Sequence, residues 1–250
     1  MIQTISEADY GRHNADLVTT NTRLINEGNW KKQRVVVVIP AGPSIPAKVY
    51  LSHMGLIFPP NQGVIRLEGP PSVWMTQDTE VGAGFSAAFE GIINHPELKT
   101  WEYILTIEHD NIPPPDGVVK LIARMEAHPE FACIGGLYFL KGENGAAQIW
   151  GDVTDPVLNF RPQLPDINGG LVECVGTGMG FNLWRISALV ELRKKVQPPW
   201  FVTKTGLNGT GVGTQDLSFW GDIGRKHGLR CAIDCGVKVG HFDAATGISW

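Results

Sequence analysis

Val35-Val-Val-Val-Ile39 constrains this chain more than any other stretch. Five β-branched residues in a row favour an extended strand, because branching at Cβ restricts χ1 and suits a pleated surface. Strand side chains alternate between faces, so an unbroken apolar run needs cover on both sides. The run stops on Pro40-Ala-Gly-Pro43, where proline removes the donors a ladder needs. A doubly covered strand belongs inside a layered α/β protein.

The stretches that follow keep this alternation. Ala47–Phe58 reads as a helix, Gly63–Glu68 as a strand, Gly84–Asn94 as a helix and Trp101–Ile107 as a strand. Asp116–Ala127 reads as a helix that Asp116 would cap, and Phe131–Phe139 as a further strand. Strand and helix in turn predict a mostly parallel central sheet flanked by helices. The second half is less regular, with strands expected around Ala147–Trp150, at Leu171–Val175 and at Leu229–Val239. Helices are expected at Ile186–Lys195 and Asp216–His227, and a long loop at Gln197–Gly213. Residues 1–33 are polar, with Ile5, Tyr10, Leu17, Leu24 and Ile25 at loosely helical spacing. They read as a helical arm preceding one domain over 34–250.

The 250 residues suffice for a large core. A net charge of −4 gives no basic excess of the kind that marks general nucleic-acid affinity. The N-terminus lacks a basic region followed by an apolar stretch, and no run approaches the roughly 18 apolar residues of a membrane span. A soluble, cytoplasmic protein is expected. Cys133, Cys174, Cys231 and Cys235 form no CxxC pair, which argues against a zinc ribbon. Cys231 and Cys235 share a strand face, most simply as small buried hydrophobes.

The chemistry gathers where strands end. Trp101–Ile107 runs into Glu108-His109-Asp110 and then breaks on Pro113-Pro-Pro115. In open α/β sheets ligands bind beyond the carboxyl ends of strands. Residues i and i+2 of an extended chain point the same way, so Glu108 and Asp110 would offer hard oxygens to Mg²⁺ or Mn²⁺. Three later features would meet them: Gly176-Thr-Gly178-Met-Gly180, Asp216 opening a helix, and His241 after the last strand. The glycine loop lacks the Gly-Lys-Ser/Thr of a phosphate-cradling P-loop. Trp200 and Phe201, in a Pro-Pro-Trp-Phe loop, could stack on an acceptor or anchor the loop.

In order and spacing these stretches resemble the GT-A-fold glycosyltransferases, in particular the family-2-like enzymes common in phage and prokaryotic genomes. The likeness covers roughly residues 34–243. It runs through the valine-rich first strand ending in proline, the acid-x-Asp motif with Ile112-Pro-Pro-Pro-Asp116, and Gly135-Gly-Leu-Tyr138. It continues through Gly176-Thr-Gly178, the Pro-Trp-Phe loop, the Asp216 helix start and Gly240-His241. The resemblance implies a Rossmann-like nucleotide-diphospho-sugar transferase domain, with 34–140 binding the nucleotide sugar and 141–250 serving the acceptor. It implies a metal-dependent, inverting transfer from a nucleoside diphosphate sugar, with a UDP-sugar favoured, to a hydroxyl acceptor. Asp110 and His241 would hold Mn²⁺ or Mg²⁺, Glu108 would assist, and Asp216 would be the base. Pro40, Ala41 and Gly42 would lie under the nucleotide base. Glu108, His109, Asp110, Gly176, Thr177 and Gly178 would line the donor, and Trp200 and Phe201 the acceptor. The chain departs from the pattern at Glu108, where Asp is usual, at Gln215, where a first acid is usual, and at Ala87-Ala-Phe89, where Ala-Arg-Asn is usual.

A competing reading starts from Gly82-Ala-Gly84-Phe-Ser-Ala87, a GxGxxA string that would suggest a nicotinamide-binding oxidoreductase. Such a string follows directly on an apolar strand, whereas Thr76-Gln-Asp-Thr-Glu80 is polar. Two further readings are a nucleotide-sugar-binding protein without transfer, and a nucleotidyltransferase with a faint loop at Ala41–Lys48.

Overall fold

The computed structural model describes residues 33–59, 73–205 and 212–250. The expected N-terminal arm, Gln33 apart, and the expected strand Gly63–Glu68 lie outside the described residues. The valine run forms β1, Val35–Ala41, buried at every position. Then come α1 Ala47–Met54, β2 Val73–Gln77, α2 Val81–Asn94, β3 Tyr103–Ile107, β4 Asn111–Ile112, α3 Gly117–Ala127 and β5 Cys133–Leu137. The second half holds β6 Ile149–Trp150, β7 Leu171–Cys174, β8 Gly176–Thr177, β9 Phe181–Arg185 and α4 Ile186–Arg193. It closes with β10 Lys204–Thr205, β11 Val212–Gly213, α5 Gln215–Phe219, β12 Cys231–Lys238 and β13 Gly240–His241.

Seven strands form the main sheet in the order β2-β1-β3-β9-β5-β12-β7. β2, β1 and β3 pair in parallel, as do β5 and β12. β9 lies antiparallel between β3 and β5, and β7 is an antiparallel edge. Five strands therefore run one way and two run against them, within a Rossmann-like α/β layering. Alternation in β1 sends Val36 and Val38 to the face covered by α2 and α4. Val35, Val37 and Ile39 face α3.

Several elements differ from the sequence reading. β9 was not expected, because Phe181-Asn-Leu-Trp-Arg185 is short and sits between a glycine loop and a helix. β2 was not expected either. It lies at the sheet edge and alternates exposed and half-buried residues, so its composition does not read as buried strand. A strand thus does precede the Gly82 string, but it is an edge strand of exposed and half-buried residues rather than a buried apolar one. α1 stops at Met54, short of Phe58. Asp116 makes no side-chain bond to the start of α3; its carboxylate pairs with Lys120 at 2.6 Å. The helix expected over Asp216–His227 is α5 followed by a π turn at Trp220–Gly224 and a 3₁₀ turn at Arg225–His227. All four cysteines are free and buried, and Cys231 and Cys235 pack in one cluster as small hydrophobes.

An aromatic cluster fills the α2 side. Trp184 stacks on Trp220 at 5.3 Å and meets Phe89, Phe201 and Phe219 edge-on. Trp200 and Phe201 are 2% and 1% exposed. This corrects the acceptor-stacking option: both rings anchor the loop in the core, and the Phe201 backbone bonds the Ser86 hydroxyl on α2. Truncating a buried aromatic ring costs about 3–5 kcal/mol. Phe201→Ala should destabilise the protein by that order in urea unfolding; a loss below about 1 kcal/mol would show a ring that does not carry the core.

Candidate active site

β3 delivers Glu108, but the chain does not stay extended. The Asn111 N–H donates to the Glu108 carbonyl at 3.1 Å, a tight turn, so Glu108 and Asp110 are not the i, i+2 pair of a strand. The Glu108 N–H donates to the Gly180 carbonyl at 3.0 Å, joining the end of β3 to the glycine loop. The far side comes from β12, whose pairing with β5 shifts register between Asp234 and Lys238. Beyond that irregularity, β13 pairs with β4 and sets His241 opposite Asn111. The Phe242 N–H donates to the Asp110 carbonyl at 2.7 Å. The outcome is His241 Nε2 3.3 Å from Asp110 Oδ2.

Tyr138, just past β5, forms the wall between these parts. Its hydroxyl accepts the Gly180 N–H at 2.9 Å, and its ring stands edge-on to His241 at 5.6 Å. A Cβ on Gly178 would lie 2.2 Å from that hydroxyl, and one on Gly180 would meet both the Tyr138 ring and Asn111 Oδ1 at 2.6 Å. The glycines are required because a ring and an amide occupy the space of their side chains. Asn111 itself is fully buried, and neither atom of its amide has a partner among the described residues.

Three carboxylates share this region and differ in charge state. Burial pushes Glu108 up to about 8, and repulsion from Asp110 and Asp216 adds to it; Lys141 opposes the rise. Burial also raises Asp216, which is 8% exposed, against bonds from the Thr214 hydroxyl and the Leu217 N–H at 2.9 Å. A place in the first turn of a helix favours the ionised form, but here desolvation prevails. For Asp110 burial works upward too, yet contacts from His241 and Lys141 hold it well below the usual carboxylate range. The Lys141 ammonium lies 2.7 Å from Asp110 Oδ2.

The donor set bears on a divalent ion. His241 Nδ1 lies 2.8 Å from the Phe139 carbonyl. A carbonyl only accepts, so Nδ1 carries a hydrogen, and Nε2 is the ring atom turned to Asp110: it donates there when the ring is protonated and presents a lone pair when it is not. With the lone pair on Nε2, that nitrogen and Asp110 Oδ2, 3.3 Å apart, suit a cation held by both. Among the described residues no three His, Cys, Asp or Glu side chains gather as a metal-holding group, so Glu108 does not complete the expected trio. Asp110 and His241 fit Mg²⁺ or Mn²⁺ only as a partial shell, the arrangement in which substrate phosphates supply further oxygens.

The remaining expected residues divide. Thr177 is buried, its hydroxyl bonded to the Gly178 carbonyl at 3.2 Å, and Gly176 abuts the Trp220 ring. Pro40 and Ala41 end β1, and Gly42 borders open space. His109 is half-buried beside His53, whose Nε2 donates to the Asn111 carbonyl at 2.9 Å. The Gly82 string is not built for a diphosphate. Glu80 caps the start of α2, accepting the Ala83 N–H at 2.8 Å, and puts a carboxylate where an anion would sit. A Cβ on Gly82 would meet Gln215 and the Phe201 carbonyl, and one on Gly84 would meet Thr76, so these glycines serve packing. Sequence reasoning missed Tyr138, Asn111, His53 and Lys141. Tyr138 lay inside the quoted Gly135–Tyr138 stretch; a lone lysine in a loop carried no signal.

A carboxyl that holds its proton in the folded state up to about 8, against about 4.3 when unfolded, binds more protons folded than unfolded between those values. Its contribution therefore lowers stability as pH rises from about 5 to 8. Glu108→Gln should flatten that fall in urea unfolding followed in EDTA at pH 5 and pH 8. Parallel curves for parent and variant would remove the assignment.

No protein-family model matches the chain, and no curated protein matches its sequence. Among the described residues no helix is long and apolar enough to cross a membrane. In shape the chain is similar to solved structures, among them A197 from STIV, at a TM-score of 0.55 and 16% identity over 84% of this chain and 86% of that one. That likeness speaks to the fold alone.

Proposed function

We propose that this protein is a metal-dependent glycosyltransferase of the GT-A type, moving a sugar from a nucleoside diphosphate sugar, a UDP-sugar by preference, to a hydroxyl acceptor with inversion. One observation carries the reading. Asp110 and His241 meet at 3.3 Å, while the buried Asp216 is close enough for its charge to act on Glu108. The site thus pairs an ionised carboxylate and a ring nitrogen with a second carboxylate whose proton affinity is raised. The first pair suits a divalent ion, and the second suits a general base. Position at the carboxyl ends of β3 and β5 suits a nucleotide ligand in an open α/β sheet.

A divalent ion bound there supplies positive charge against the departing diphosphate. The rest of the chemistry belongs to side chains. Asp216 takes the acceptor hydroxyl's proton as that oxygen bonds the anomeric carbon. The carbon–oxygen bond to the diphosphate breaks, and the electron pair leaves with the diphosphate. Burial helps twice, raising the basicity of Asp216 and limiting competition from water. Pro40, Ala41 and Gly42 would lie under the base, and Gly176, Thr177 and Gly178 beside the sugar.

General-base catalysis contributes about 10²–10⁴-fold. Asp216→Asn should lose transfer by that order while keeping the thermal stabilisation given by the donor with Mn²⁺. Melting against UDP-, GDP-, TDP- and CMP-sugars, with and without Mn²⁺, identifies the donor for that assay. Transfer at the parent rate in Asp216→Asn would sink the base. A panel without any metal-dependent shift would sink the whole reading.

A further inference from the structure

Asp110 Oδ2 has two neighbours that carry or accept positive charge, and they come from different places. His241 Nε2 approaches at 3.3 Å from β13, and Lys141 Nζ at 2.7 Å from the loop after β5. The Lys141 charge also reaches Glu108 and Asp243. Its side chain is 36% exposed, and Gly142, which follows it, adopts a φ of 111° at a position where an added Cβ would meet nothing within 4 Å. The ammonium is therefore bonded to one carboxylate and partly open to solvent.

We propose that Lys141 is the resident counter-ion of this site: it occupies the Asp110 oxygen that a divalent cation would need, and yields it when a diphosphate arrives. The inference rests on the metal-dependent reading above and adds a regulation to it. An ammonium at hydrogen-bond distance and a small divalent ion such as Mg²⁺ at about 2.0–2.1 Å would crowd one oxygen and repel each other. Without a ligand the ammonium wins, because it is tethered and Asp110 with His241 offers only a partial shell. A diphosphate changes both sides of the balance. Its oxygens extend the ion's shell, and its charge gives the displaced ammonium a new partner. Lysine suits the task, since its charge is a compact point on a flexible stem that can swing between anions.

The test uses the full chain and Mn²⁺, whose free-ion paramagnetic resonance signal falls on binding, with and without UDP. Competition of this kind typically amounts to about 5–150-fold. Lys141→Met should bind Mn²⁺ about tenfold more tightly than the parent without UDP, and UDP should then add less than it adds for the parent. Lys141→Arg should behave like the parent, because a cation is restored. Asp110→Asn should abolish binding in both backgrounds and show that the gain arises at this oxygen. Equal Mn²⁺ affinity in parent and Lys141→Met, with binding still lost in Asp110→Asn, would overturn the counter-ion while leaving the metal site intact. No Mn²⁺ binding by any variant, even with UDP, would overturn the metal-dependent reading and this inference with it.

Discussion

A ribbon of two residues on each strand holds the site together. β4 and β13 pair Asn111 with His241, and the Phe242 N–H reaches back to the Asp110 carbonyl. On its other side His241 exchanges backbone hydrogen bonds with Trp250 at 2.9 and 3.0 Å. The histidine is thus fixed by main chain on both flanks, and its ring is oriented by the Phe139 carbonyl. A metal or catalytic group must be held to fractions of an ångström, and hydrogen bonds to main chain and to the ring do this better than a free loop. The register shift in β12 is what lets that strand leave β5 and turn toward β4.

With positions fixed, partners decide the charge. Burial acts in the same direction on Glu108, Asp110 and Asp216 and would leave all three protonated more readily. Asp110 escapes because it touches Lys141 and His241. Asp216 is met by the Thr214 hydroxyl and by the N–H groups of Leu217 and of Asp216 itself, and burial prevails there. Glu108 faces two other acids and rises furthest toward neutrality. Groups of one chemical type whose environments push their proton affinities apart are what acid–base chemistry needs.

The sequence made the layers legible and the edges illegible. β1 and the faces of α2 and α3 were readable because burial on both sides or along one stripe leaves a compositional trace. β9 left none, since its neighbours β3 and β5 supply the ladder that its five residues could not announce. β2 looked polar because its outer edge meets water. Asp110, Asp216 and His241 were each readable as polar residues at element ends, and the fold does bring them into one region. The turn after Ile107 was not readable, as it depends on the Asn111 N–H finding the Glu108 carbonyl rather than on residue type. Lys141 was hidden for a deeper reason. A surface lysine becomes informative only through the anion it touches.

The glycine loop connects these threads. Gly176–Gly180 suggested backbone made bare for a ligand, yet what presses against Gly178 and Gly180 is the protein itself, through Tyr138 and Asn111. Absent side chains at those positions let the Tyr138 ring slide between the loop and His241 and lie near all three acids. An aromatic wall removes water from their surroundings, and removing water is what raises Glu108 and Asp216. The two missing Cβ atoms therefore give Tyr138 its place near Glu108, Asp110 and Asp216. A larger residue at Gly178 would collide with the Tyr138 hydroxyl and displace this wall. The glycines thus shape the surroundings of the three acids through Tyr138.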